Sequence, residues 1–195
     1  MNRLIFSLKL VLVYLVVTAL FFGDEIYTKY QEYKVTGENQ EQLAQLEQDA
    51  SFEQEYIPAK PAQIKIERLG VDLKVLDGEY DVTNSTWTLS QDSAHYALQT
   101  SLPNFDYGNT LIYGHNLDNI FGSLKDLIIG DILILSDSSG VEITYKFVGF
   151  DLLTPNDTSI FYYQGDPQLS LLTCHGLFDS ERLLSKFQPV GIVSR

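Results

Sequence analysis

Cysteine is nearly missing from this chain of 195 residues, where Cys174 stands alone. Without a second thiol no disulfide can form within the chain, so a disulfide-stapled scaffold is excluded. Basic residues are also scarce, 13 Lys and Arg against 26 Asp and Glu, which gives a formal charge of −13. Phosphate contacts need basic clusters, so no nucleic-acid partner is expected. Glycine-rich phosphate loops are absent. One cysteine and three histidines (His95, His115, His175) show no local spacing that suits zinc, so neither a cofactor nor a metal is expected. What the chain does have is apolar mass. Apolar residues make up 45% of it, including 11 Phe and 12 Tyr, too many for an acidic disordered tail and enough for one domain with a substantial core.

Residues 4–22 are apolar except for Ser7, Lys9 and Thr18, long enough as a helix to cross the hydrocarbon layer of a bilayer. Lys9 can reach back toward the headgroups on the Arg3 side. A small-x-small cleavage pattern is missing, since the run ends in Leu20, Phe21 and Phe22 before Gly23, which argues against a cleaved signal peptide. The expectation is a membrane anchor over 1–23, a single transmembrane helix. Arg3 and Lys9 precede the apolar centre while Asp24 and Glu25 follow it, so the amino terminus is expected in the cytoplasm and everything from residue 24 outside. Residues 24–55 then carry nine acids and two bases, a net of −7, with Leu43 and Leu46 as the one aliphatic pair at helical spacing. This reads as an acidic, solvated stalk over 24–56, with a frayed helix over 38–49.

From residue 57 to 195 the texture changes to short apolar runs punctuated by Gly, Pro, Asn and Asp. Strands are expected over 63–66, 73–75, 109–113, 132–135, 142–150, 169–173 and 182–189, with turns at Asp77-Gly78 and Ser139-Gly140. Residues 142–148 alternate with period two, placing Ile143, Tyr145 and Phe147 on one face. Helix is expected only over 121–128 and 93–99. Many strands and few helices point to a mostly-β domain, a closed or nearly closed barrel.

Cys174 ends the apolar strand 169–173, and a strand end offers a rigid base with an exposed tip, suited to a nucleophile. The alternative is a buried structural cysteine. His175, the adjacent residue, points to the opposite face of an extended chain. His115 is the better partner, because it ends strand 109–113 just after Gly114, much as Cys174 ends its own strand. His95 reads as a structural histidine. Arg182 opens the next strand, where its fixed guanidinium donors can hold a carbonyl or an oxyanion; the alternative is a surface arginine paired with Glu181 or Asp179.

These residues lie in segments that together resemble the sortases, membrane-anchored cysteine transpeptidases of bacterial surfaces. Leu169-Ser170-Leu171-Leu172-Thr173-Cys174 is similar to the family's TLxTC signature, with Ser170 at the usual Thr. Glu181-Arg182-Leu183-Leu184 resembles the catalytic arginine segment, and Gly108 through Asn116 the GN-strand-GH segment that carries the histidine. Phe121-Gly122-Ser123-Leu124 and Gly130-Asp131 are similar to the FGxL and GD that follow. The resemblance spans roughly residues 62–190 and implies an eight-stranded β-barrel with one or two short helices. It further implies that Cys174 attacks an LPxTG-like sorting motif near the end of a secreted protein to form a thioacyl enzyme. An amine on a cell-wall precursor or pilin lysine then takes the acyl group, with His115 moving protons and Arg182 supporting the substrate carbonyl and oxyanion. A thiol hydrolase with water as acceptor, and a non-catalytic surface binding module, are the competing functions. The loop 151–168, with Phe161-Tyr162-Tyr163, maps to no known sorting signal, and the stalk lacks the Asp-Pro-aromatic lid of pilin-polymerising members.

Overall fold

The computed structural model describes residues 56–193 apart from 82 and 85, together with residues 29, 34, 37 and 39–41. The expected anchor over 1–23 and most of the expected stalk lie outside the described residues. Among those described, no helix is long and apolar enough to cross a membrane. Residues 29, 34 and 37 are helical and exposed and belong to one compact unit, 1–38; residues 39–195 form the second, which holds the barrel.

The barrel follows from ten strands: β1 (Pro61–Ile66), β2 (Val71–Gly78), β3 (Tyr80–Asp81), β4 (Thr86–Trp87), β5 (Ala94–Ala97), β6 (Asn109–Tyr113), β7 (Ile132–Asp137), β8 (Glu142–Leu153), β9 (Gln168–His175) and β10 (Glu181–Val193). Eight of them close in the order β1-β2-β5-β6-β9-β10-β8-β7, while β3 and β4 form a separate two-stranded hairpin. Closure leaves no open sheet edge in the barrel.

Local chemistry makes the turns. Between β7 and β8, the buried Asp137 carboxylate accepts hydrogen bonds from Ser139 N, Ser139 Oγ and Val141 N, while Gly140 supplies a φ of 88°. Its other oxygen accepts from the Tyr56 hydroxyl at 2.8 Å. In the long β8–β10 ladder, the register slips between Lys186 and Phe187, opposite Gly149 at φ 149°, a bulge that only a residue without Cβ adopts readily.

Inside the barrel the alternation of β8 is borne out: Ile143, Tyr145 and Phe147 are all buried, packed with Ile64, Leu135 and Phe187. Each such side chain contributes about 2 kcal/mol by leaving water. Asp131, like Asp137, is a buried carboxylate. Almost wholly buried, it is paired with Arg68 and also accepts from Ile128 N and from Asn39 Nδ2. Asn39 is itself buried, so the expected solvated stalk is corrected at this residue: a buried carboxylate needs donors, and Asn39 is one of them.

Three other expectations are overturned. Residues 94–97, expected in a helix, form β5, because they pair with β2 on one side and β6 on the other and are buried throughout. Asp77-Gly78, expected as a turn, ends β2, with Gly78 opposite Ala97. Residues 121–128 hold only a single 3-10 turn, Leu124–Asp126, with backbone bonds that run three residues back, from Leu124 N to Phe121 O, Asp126 N to Ser123 O and Leu127 N to Leu124 O. In place of one or two short helices, the described barrel carries 3-10 turns at Glu67–Leu69, Leu124–Asp126, Ser159–Tyr162 and Leu177–Asp179.

Candidate active site

Alternation along three adjacent strands decides which side chains meet. On β6, Ile112 enters the main core while Leu111 and Tyr113 face outward; on β9, Leu169 and Leu171 enter it while Leu172 faces outward; on β10, Leu183 enters it while Leu184 faces outward. Leu111, Tyr113, Leu172 and Leu184 form a second apolar cluster on the outer side, covered by Ile160 and Phe161 of the 3-10 turn and by Trp87. Two residues beyond Tyr113, two beyond Leu172 and two before Leu184, the same period places His115, Cys174 and Arg182 on this outer face.

Register brings them level. Cys174 is directly opposite Arg182 in the antiparallel β9–β10 pair. In the parallel β6–β9 pair Tyr113 is opposite Leu172, and the same register carried two residues further sets His115 beside Cys174. Backbone bonds hold that extension: Gly114 N donates to Leu172 O at 3.1 Å, and Thr173 Oγ1 donates to Gly114 O at 3.0 Å. Beyond it, Phe121 N donates to His115 O at 3.2 Å, and Gly114 packs so closely that a Cβ there would meet Ile120 at 2.9 Å. The histidine backbone is therefore clamped from both sides.

All three side chains line one cleft of about 120 Å³, whose walls are otherwise apolar: Trp87, Leu89, Tyr113 and Leu172. Cys174 is half-buried. Burial pushes its thiol up; Arg182 opposes that and Asp179 adds to it, so the resting thiol is protonated at neutral pH. Arg182 Nη1 donates to the backbone carbonyls of Asp179 and Glu181, both at 2.9 Å, and not to their carboxylates as a surface ion pair requires. The turn that joins Cys174 to Arg182 is unusual: Gly176 has φ 79°, and Phe178 and Asp179 follow with left-handed φ of 56° and 57°. Two consecutive non-glycine residues in that region store backbone strain next to the thiol.

The other histidines lie apart from this arrangement. His95 is buried, with Nδ1 bonded to Asp77 O at 3.2 Å and Nε2 to Ser90 Oγ at 2.9 Å; the carbonyl can only accept, which assigns the proton to Nδ1. His175 is opposite Glu181, one residue past the thiol and on the other face. No group of three or more metal-ligating side chains comes together among the described residues. Sequence reasoning missed Trp87 altogether. It belongs to no motif, and a strand of two residues, Thr86–Trp87, leaves no periodicity to detect; its one signal is that it is the chain's only tryptophan.

A thiol, an imidazole and a guanidinium at the rim of a closed barrel define a site for thiol-dependent acyl transfer. Residues 64–189 match the sortase domain, and the chain belongs to the sortase family, a family of cysteine transpeptidases. The fold is similar to that of sortase A from Corynebacterium diphtheriae, with a TM-score of 0.56 and 21% identity, covering 69% of this chain and 62% of that one. Sortase C of Streptococcus pneumoniae superposes with a TM-score of 0.57 at 19% identity, covering 83% of this chain and 99% of that one. Sortase E1 from Streptomyces coelicolor, solved with a tripeptide in its active site, gives 0.54 at 18% identity, covering 70% and 90%. No curated protein matches the chain.

Proposed function

We propose that the protein is a transpeptidase that cleaves an LPxTG-like sorting motif near the carboxy terminus of secreted proteins. It passes the acyl fragment to an amine on a cell-wall precursor or pilin lysine. The observation that carries this reading is the placement of Cys174 opposite Arg182, with His115 in the same cleft. The Cys174 thiolate attacks the scissile carbonyl, the C–N bond breaks, and His115 gives a proton to the departing amine, leaving a thioacyl enzyme. The incoming amine loses a proton to His115 as it forms the new amide and releases the thiol. Arg182, with Nη1 tied to two carbonyls, is held in place to support the carbonyl oxygen as it gains charge. Because the resting thiol is protonated, the attacking thiolate is a minor form that reaction draws on.

The enzyme acts outside the cell, held by the apolar segment 4–22 with the amino terminus in the cytoplasm; the excess of base before that segment and of acid after it supports this. The test uses the full-length chain in detergent with a library of LPxTG-type peptides and an amine acceptor, followed by mass spectrometry. Joined product is expected. Cleavage without joining makes the protein a hydrolase, and a Cys174→Ala variant with full activity removes the nucleophile assignment.

A further inference from the structure

One wall of the cleft does not belong to the barrel. Tyr113 and Leu172 are buried strand residues and form a fixed floor, whereas Trp87 comes from β4 of the separate hairpin and Leu89 from two residues beyond it. The hairpin's ladder has only two residue pairs, Tyr80 with Trp87 and Asp81 with Thr86. The next residue, Thr88, donates its N–H to Glu79 O at 3.0 Å, and the tryptophan itself sits in a stack of rings: Tyr113 at 4.3 Å, Tyr80 at 4.5 Å and Phe161 at 5.6 Å between centroids. Trp87 is thus the largest group lining the cleft, set against a fixed floor by ring contacts.

The space it leaves is small. A buried apolar cavity of roughly 150 Å³ takes a benzene ring; about 120 Å³, shared with the reacting groups, is room for one aliphatic side chain. We propose that Trp87 sets the size of side chain that the acyl donor places beside the Cys174 thiol, admitting a single aliphatic chain and refusing an aromatic ring. This rests on the transpeptidase reading for its biological meaning, but the size filter is a property of the cleft and can be measured without a sorting motif.

The probes are N-acetyl-leucine and N-acetyl-phenylalanine chloromethyl ketones. Each reacts by displacement of chloride by the Cys174 sulfur, forming one C–S bond and releasing the thiol proton. Rates on the full-length chain, read by intact mass and divided by the rate with iodoacetamide, correct for thiol exposure and ionisation. The leucyl probe is expected to be favoured by about tenfold or more, the discrimination that pocket fit supplies, and Trp87→Ala to bring the two within about threefold. An unchanged preference in the variant, or none in the wild type, overturns the proposal. Should the variant not fold, the wild type still decides: Trp87 is the only tryptophan, so its emission must change on formation of the leucyl adduct and not of the carboxamidomethyl adduct. No change with the leucyl adduct overturns the proposal as well. If the size preference is seen while no peptide gives an amine-joined product, the transpeptidase reading fails and the filter stands; joined product without the preference is the reverse.

Discussion

Strands β8 and β6 are both barrel staves, yet they meet different surroundings. Over Ile143 to Phe147, β8 turns alternate residues inward, and further along Val148, Phe150 and Leu152 remain partly exposed. Every residue of β6 from Asn109 to Tyr113 is buried, with Ile112 in the barrel core and Leu111 and Tyr113 in the outer cluster. Outside the barrel, six buried apolar residues gather where the thiol lies, whereas the cluster of described residues on the β7–β10 side has two, Ile132 and Val190. The larger outer cluster gives β9 and its neighbours apolar packing on both faces, so His115, Cys174 and Arg182 sit at the ends of strands that are held from within and without.

The sharpest way to test this contrast is to remove mass from the core and from the outer cluster separately. Phe187→Ala empties a fully buried inner position beside Phe147 and should cost about 3–5 kcal/mol in urea unfolding, with Cys174 alkylation by iodoacetamide unaltered below the transition. Leu172→Ala takes the outer cluster instead. It should cost about 2–4 kcal/mol, and it should also slow thioacyl formation in single-turnover measurements, because Leu172 is floor to the cleft. If Leu172→Ala alters stability alone, the outer cluster is packing and no more. On the β8 side, Asp137→Ala strips the β7–β8 turn of its acceptor and should lower stability by about 1–3 kcal/mol in thermal unfolding, leaving product ratios as they were.

The smallest effect is electrostatic. Asp179 raises the Cys174 pKa, so Asp179→Asn should move the pH midpoint of iodoacetamide alkylation downward, and Arg182→Ala, which removes the opposing cation, should move it upward. Asparagine also suits the left-handed backbone at that position, so the turn should survive the change. A midpoint that moves the same way in both variants would refute the assignment of causes.

The two regions also differ in how much of them could be read beforehand. Residues 142–148 announce themselves by period two, because Glu142, Thr144 and Lys146 are polar between the inward Ile143, Tyr145 and Phe147. His115, Cys174 and Arg182 were legible for another reason: each stands at the end of an apolar run, where a rim must be. The covering pieces were not. β5 is four residues, Ala-His-Tyr-Ala, too short for a period and made a strand by β2 and β6 on either side. The hairpin carrying Trp87 pairs two residues with two, and its place over the thiol is fixed by ring contacts with Tyr113 and Phe161. Long-range contacts of this kind leave no local trace in a sequence.

The hydrogen bond from Thr173 to Gly114 also bears on the order in which the protein becomes active. It joins residues 59 positions apart, whereas the β1–β2, β7–β8 and β9–β10 pairs are hairpins whose partners are close along the chain. Loop closure favours the near pairs first, and the parallel β6–β9 seam forms against a larger entropic cost. Until that seam closes, the thiol and the imidazole belong to separate parts of the molecule. A chain with every hairpin in place and this one joint open carries nearly all of its secondary structure and no assembled site, so acyl transfer recovers during refolding only once this seam has closed.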